Sequence, residues 1–234
     1  MSKEGMISLM NYELDRRIGG IPKHSLMLME GGYGTGKTVF LLQLCWGALN
    51  SGYRVRYISL DLDVMELLSL MERFSFKVRP YFLSGKLRLM KIRLNEKILT
   101  RKVSAIYLRV LPSFVREDDV DVTIIDPITQ LLYKAREQEI LTFFSKLKSL
   151  VDLKDMLICV SLHPFVISQE LLMRIRGIAD GDIVFSAREF RGKPVKMMEV
   201  TRLKGALRTL GSPIGFDVEE GFGIKILPFS MAKV

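Results

Sequence analysis

From residue 25 to about residue 190, short apolar runs alternate with longer stretches in which apolar positions recur every three to four residues. The short runs predict strands at Ser25 to Met29, Arg54 to Leu60, Leu87 to Ile92, Val120 to Asp126 and Met156 to Ser161. The longer ones predict helices at Lys37 to Asn50, Val64 to Phe74, Glu96 to Leu111, Glu137 to Leu153 and Ser168 to Arg176. The first of these helices is apolar nearly all round (Val39, Phe40, Leu41, Leu42, Leu44, Trp46, Leu49) and is expected to be buried. Strands alternating with crossover helices make a largely parallel sheet, so the chain is predicted to be α/β. After Asp180 the pattern changes to strands divided by Gly and Pro: Ile183 to Arg188, Val195 to Thr201 and Ile224 to Leu227. These read as an antiparallel extension of the sheet, with turns at Arg191-Gly192-Lys193-Pro194 and Gly211-Ser212-Pro213.

With 234 residues, 48% of them hydrophobic, the chain is expected to form a single domain spanning residues 1–234. Charged residues interrupt every apolar stretch before it reaches the roughly 18 to 20 residues that a membrane-spanning helix needs. Met1 to Met10 lacks a basic region followed by an apolar core, so the expected location is the cytoplasm. Cys45 and Cys159 both sit inside apolar segments, where burial is the expected state. The net charge of +9 is concentrated: eleven Lys/Arg and one acid fall between Arg73 and Arg109, leaving the remainder about neutral. That concentration suggests one positive surface suited to nucleic acid, anionic lipid or an acidic protein, or else a solvated face.

Candidate chemistry begins where the first predicted strand meets the first predicted helix. Gly31-Gly32-Tyr33-Gly34-Thr35-Gly36-Lys37-Thr38 satisfies G-x-x-x-x-G-K-[ST], followed by Val39 at the start of the helix. Glycines let backbone N–H groups turn inward around an anion, and the helix adds its unsatisfied N–H groups and the positive end of its dipole. The motif assigns Lys37 to the β- and γ-phosphates of a nucleoside triphosphate and the Thr38 hydroxyl to Mg²⁺. Val122-Thr123-Ile124-Ile125-Asp126 is a β-branched run ending in a carboxylate. Asp126 is therefore the candidate to hold the metal's water shell opposite Thr38. Pro127 supports a strand end there. For a group that orients attacking water, Asp61 and Asp63 are the candidates, although Asp63 is better placed as a helix N-cap. His163 closes another strand, where it is a candidate γ-phosphate sensor or simply part of a turn before Pro164.

These residues carry a resemblance. Tyr12-Glu13-Leu14-Asp15-Arg16-Arg17-Ile18-Gly19-Gly20-Ile21-Pro22 and the loop from Glu30 to Thr38 resemble the lead-in and phosphate loop of the KaiC- and RecA-like ATPases. Within that superfamily, Ile58-Ser59-Leu60-Asp61-Leu62, Ile124-Ile125-Asp126-Pro127, Ser161-Leu162-His163-Pro164 and Ile226-Leu227-Pro228-Phe229-Ser230 resemble the FlaH (ArlH) family of the archaeal flagellar motor. The resemblance covers nearly the whole chain. It implies a RecA-like P-loop domain with a central, mostly parallel sheet flanked by helices. It also implies hexameric rings, and binding of ATP and Mg²⁺ that regulates motor assembly at the cytoplasmic membrane. The implied partners are the motor ATPase FlaI, the membrane platform FlaJ and, in some archaea, the scaffold FlaX.

Two departures from the family pattern matter. Active KaiC-like ATPases carry paired catalytic glutamates where this chain has Leu60-Asp61. Asp withdraws the carboxylate by one methylene, and a shift of about 1 Å can cost on the order of 10²-fold in rate, so slow or absent hydrolysis is predicted. Arg202-Leu203-Lys204-Gly205 resembles a Lys-x-Arg-Gly segment that reaches a neighbouring subunit's γ-phosphate, with the two cations exchanged. Arg202 and Lys204 are thus candidates for contacts across a subunit interface, or for a solvated strand end. The competing function is a DNA-dependent ATPase of the RecA/RadA kind, with residues 73–109 as its basic groove and Phe74, Phe76, Tyr81, Phe82 and Tyr107 as stacking rings.

Overall fold

The computed structural model describes residues 5–94, 99–117, 119–190, 193–204 and 212–227. In chain order the elements are β1 (Met6–Ile7), α1 (Tyr12–Ile18), β2 (Ile21–Pro22), β3 (Ser25–Gly31), α2 (Lys37–Asn50), β4 (Val55–Ser59), α3 (Val64–Arg73), α4 (Arg79–Leu83), β5 (Leu87–Lys91) and α5 (Arg101–Glu117). They continue with β6 (Val122–Asp126), α6 (Thr129–Lys134), α7 (Glu137–Lys154), β7 (Leu157–Leu162), a 3₁₀ turn (Pro164–Val166), α8 (Gln169–Ile178), β8 (Gly181–Phe190), β9 (Lys193–Leu203), β10 (Ile214–Glu219) and β11 (Gly223–Ile226). β1 and β2 form a small antiparallel pair. The other nine strands make one sheet in the order β11-β10-β9-β8-β3-β7-β6-β4-β5.

Strands β8, β3, β7, β6, β4 and β5 run parallel, and β9, β10 and β11 follow antiparallel. The antiparallel extension therefore begins one strand later than its sequence suggests, because β8 lies parallel beside β3. Its outward edge then takes β9 in a hairpin that pairs Phe190 with Lys193. Residues 191 and 192 of the expected turn lie outside the described residues, as do Gly211, Gly205 and the segment Pro228-Phe229-Ser230. Ser212 and Pro213 lead into β10, a strand not read from the sequence.

Alternation along the strands gives the sheet two apolar faces, each covered by its own set of helices. Met27, Met29, Val55, Tyr57, Ile124 and Cys159 face α1, α2 and α3. Leu26, Leu28, Ile58, Ile125, Ile158 and Val160 face α5, α6, α7 and α8. α2 has the predicted bounds and is buried nearly all round. Gly47 shows how closely it is covered: a Cβ there would stand 1.9 Å from the Ser8 carbonyl oxygen. The segment before α1 is thus a structural strap. Asn11 accepts a hydrogen bond from Leu14 N to cap α1, and its amide donates to the Ile224 carbonyl at 2.6 Å.

α5 departs most from its predicted bounds. It begins at Arg101 and runs through Pro112 to Glu117, while residues 96–98 of the expected helix lie outside the described ones. Leu108, Leu111 and Val115 continue its buried stripe past the proline, so packing outweighs the lost hydrogen bond. Both cysteines are buried, which pushes their thiols up from the ordinary value. The basic segment spans both helical layers around the edge strand β5, with α3 on one face of the sheet and α5 on the other. Arg73 pairs with Glu220, Arg79 with Glu72, and Lys91 donates to the Asp61 carbonyl. Among the described residues, no helix is long and apolar enough to cross a membrane.

Candidate nucleotide-binding site

The phosphate loop leaves the C-terminal end of β3 at Gly31 and re-enters regular structure at Lys37. Gly36 makes the turn into α2 with a left-handed φ of 97°, and a Cβ there would lie 2.8 Å from the Phe216 ring. Both demands call for glycine. The Lys37 ammonium donates to the carbonyls of Gly31 and Gly32, each at 2.7 Å, and the Thr35 hydroxyl donates to the Gly32 carbonyl at 2.9 Å. Burial lowers the Lys37 ammonium to about 8, with Asp126 and Asp61 pulling the other way.

A hollow of about 360 Å³ opens beside this loop, lined by Tyr33, Gly34, Thr35, Gly36, Lys37, Thr38 and Val39 on one side. Asp61, Asp126, Pro127 and His163 line the other side, joined by Lys196 and Val218 from the antiparallel extension. Gly31 and Gly32 form the base that holds Lys37.

Asp126 ends β6 and is almost fully buried. The flanking strands fix its carboxylate: Tyr57 of β4 donates its hydroxyl to Oδ2 at 2.7 Å, and Ser161 of β7 donates to Oδ1. Burial, then Asp126, raises the Tyr57 phenol well above its ordinary value, so it stays a donor. Each carboxylate oxygen accepts one bond here and keeps lone-pair capacity toward the hollow. With the Thr38 hydroxyl this is a hard-oxygen set. Mg²⁺ is commonly held by one or two protein groups together with substrate phosphates, so these residues fit a Mg-nucleotide.

The two candidate acids after β4 separate. Asp63 caps α3, accepting from Met65 N and Glu66 N at 2.9 Å while Glu66 accepts from Asp63 N at 2.7 Å. Asp61 faces the hollow, where burial and then Asp126 raise its carboxyl. His163 anchors its backbone N–H on the Thr129 hydroxyl at 3.1 Å and meets the Tyr33 ring edge-on, centroids 3.9 Å apart. Burial, then Lys37, lowers its imidazole, which stands neutral at pH 7.

Arg202 and Lys204 are not brought to this loop. β9 places Arg202 opposite Asp182, and the Lys204 N–H donates to the Asp180 carbonyl; Gly31 is level with Phe185, so the two cations lie three and five residues, about 10 and 17 Å, back along the sheet. Arg202 donates to the carbonyls of Arg176 and Ala179, and Lys204 lies 3.5 Å from Asp180. Sequence reasoning missed several residues around the site. Tyr57 and Ser161 hold Asp126, but a strand residue's cross-strand partner has no local signature. Lys196 and Val218 arrive through long-range pairing. Glu30, fully buried beside the loop, takes a bidentate pair from Arg176 of α8 at 2.8 and 2.7 Å.

A family model described as "ATPase: KaiC" matches residues 8–230. The chain belongs to the KaiC family of ATPases. Relatives that match over nearly the whole of this chain include FlaH proteins. The archaeal flagellar ATP-binding protein FlaH of Sulfolobus acidocaldarius is 30% identical over 228 residues, spanning 97% of this chain and 99% of the relative. The protein of that name from Methanocaldococcus jannaschii is 29% identical over 97% of each chain. The crystal structure of flagellar accessory protein FlaH from M. jannaschii superposes with a TM-score of 0.81 at 26% identity, covering 97% of this chain and 100% of that one. A KaiC-like protein of Pyrococcus horikoshii, 21% identical with a TM-score of 0.73, shares the fold. The fold is therefore KaiC/RecA-like, with a mostly parallel sheet, flanking helices and antiparallel C-terminal strands.

Proposed function

We propose that this chain is an ATP-binding component of an archaeal flagellar motor, in which Mg-ATP acts as a ligand controlling assembly and is hydrolysed slowly or not at all. The observation that carries this is the hollow where Lys37, Thr38 and Asp126 converge, in a chain with full-length relatives named archaeal flagellar ATP-binding proteins.

Lys37 leaves the Gly31 and Gly32 carbonyls to meet the β- and γ-phosphates. The loop from Gly31 to Gly36 offers its N–H groups, and Val39 bounds the hollow. Thr38 and Asp126 hold Mg²⁺, which neutralises phosphate charge when bound. His163 serves as a hydrogen-bonding sensor of the γ-phosphate. Asp61 is the sole acid of the hollow besides Asp126 among the described residues, and it reaches one methylene less than Glu, which supports slow turnover. ATP at about 100 times its dissociation constant stabilises the competent state by roughly 2.7 kcal/mol, enough to decide an assembly equilibrium.

In a hexameric ring, Arg202 and Lys204 would exchange their contacts around Ala179 and Asp180 for a neighbour's phosphates. The partners would be the motor ATPase FlaI, the membrane platform FlaJ and the scaffold FlaX, at the cytoplasmic face of the membrane. The test pairs ATP affinity with steady-state phosphate release, using Lys37→Ala as control. Tight binding lost in that variant, with no turnover above background, is expected. Turnover of many ATP per minute, especially with added DNA, would overturn the proposal.

A further inference from the structure

Away from the nucleotide hollow, α5 and α7 lie side by side on the opposite helical layer and leave a groove of about 490 Å³ between them. Lys102 and Arg109 rim it from α5, one face of the helix seven residues apart, and Arg136 and Lys146 rim it from the start and middle of α7. Its floor is apolar, with Ile106 43% exposed and Phe143 beneath. Past Gln138 and Thr142 the groove continues along α7 into a second hollow of about 520 Å³ beside Leu141 and Arg174.

The charge around the groove is unbalanced. Among the described residues, none of the side chains of Lys102, Arg109, Arg136 and Lys146 forms an ion pair, unlike Arg73 and Arg79 on the other face. Glu139, the acid among its lining residues, accepts from Arg136 N at 2.8 Å as the α7 cap and keeps its charge, so the lining carries a net charge of +3 (four cations, one anion). Four cations held around a partly exposed apolar floor leave both electrostatic and hydrophobic free energy unrealised.

We propose that the α5–α7 groove docks an acidic amphipathic segment of a partner protein, with apolar side chains on Ile106 and carboxylates on Lys102, Arg109, Arg136 and Lys146. A concave cleft with a sunken floor suits a helix or extended segment and not a flat lipid surface. Phe143, the aromatic residue lining it, is buried, so the cleft offers no ring for stacking the bases of a single strand.

The test displays a library of random peptides of about 16 residues, some four helical turns, to the full chain and sequences those retained. Acidic peptides with apolar residues at i, i+4 and i+7 should be enriched. Their affinity should fall about tenfold or more in Lys102→Glu/Lys146→Glu and with rising salt. Ile106→Asp, which changes one exposed floor residue, should weaken them as well, and both variants should keep wild-type ATP affinity. Enrichment without acidic bias would overturn the proposal, as would equal binding by both variants. Tighter binding of a single-stranded oligonucleotide, or of vesicles containing phosphatidylserine, through the same cations would assign the groove to that ligand instead.

Discussion

Lys37 stands between two loop carbonyls on one side and the carboxylates of Asp61 and Asp126 on the other, and burial holds its ammonium near 8. That position makes nucleotide binding sensitive to mild alkali. ATP requires the charged form, so each pH unit above about 8 removes more of the competent population, while below 8 the lysine is already protonated. ATP affinity measured from pH 7 to pH 9.5 should be flat at first and then fall, approaching tenfold per unit. Lys37→Arg, always charged, should flatten that decline at whatever affinity it retains. The motif found Lys37 and Thr38 because its glycine spacing is itself the mechanism. It was blind to Tyr57 and Ser161, which meet Asp126 only because β4 and β7 flank β6.

Among the elements, α2 was legible to the residue, since the glycine at its N-terminal boundary and its apolar run coincide with its ends. α5 was not. Pro112 argues for a stop, yet the buried stripe through Val115 carries the helix to Glu117. The reason for Gly47 in α2 was likewise hidden: helix propensity favours Ala there, but the strap before α1 passes over that point. Gly47→Ala should therefore destabilise the protein, by at least about 1–3 kcal/mol of overpacking, where propensity alone predicts a gain. A shift of the urea unfolding midpoint in either direction decides between them.

For the molecule as a whole, the bidentate Glu30–Arg176 pair ties the strand carrying the phosphate loop to α8, and Arg202 of β9 in turn donates to the Arg176 and Ala179 carbonyls. Glu30 is fully buried, so Arg176→Ala strands a carboxylate next to the loop and should cost about 3–5 kcal/mol. Arg176→Lys should recover part of that loss but not the second hydrogen bond. Chemical denaturation of the three proteins tests this, and near-equal stability would show that solvent reaches Glu30 when its partner leaves.

The sequence by itself determined the α/β class, most element positions and the phosphate loop. Each of these depends on local periodicity, glycine placement and residue type within a few positions. Only the tertiary structure decided that β8 runs parallel, that the basic segment falls on two faces, and that Arg202 and Lys204 sit far from their own loop. It also decided which hydroxyls hold Asp126. Those facts depend on which strands become neighbours and how alternation assigns side chains to each face of the sheet. Residues distant along the chain settle that jointly, through the apolar surface they bury together.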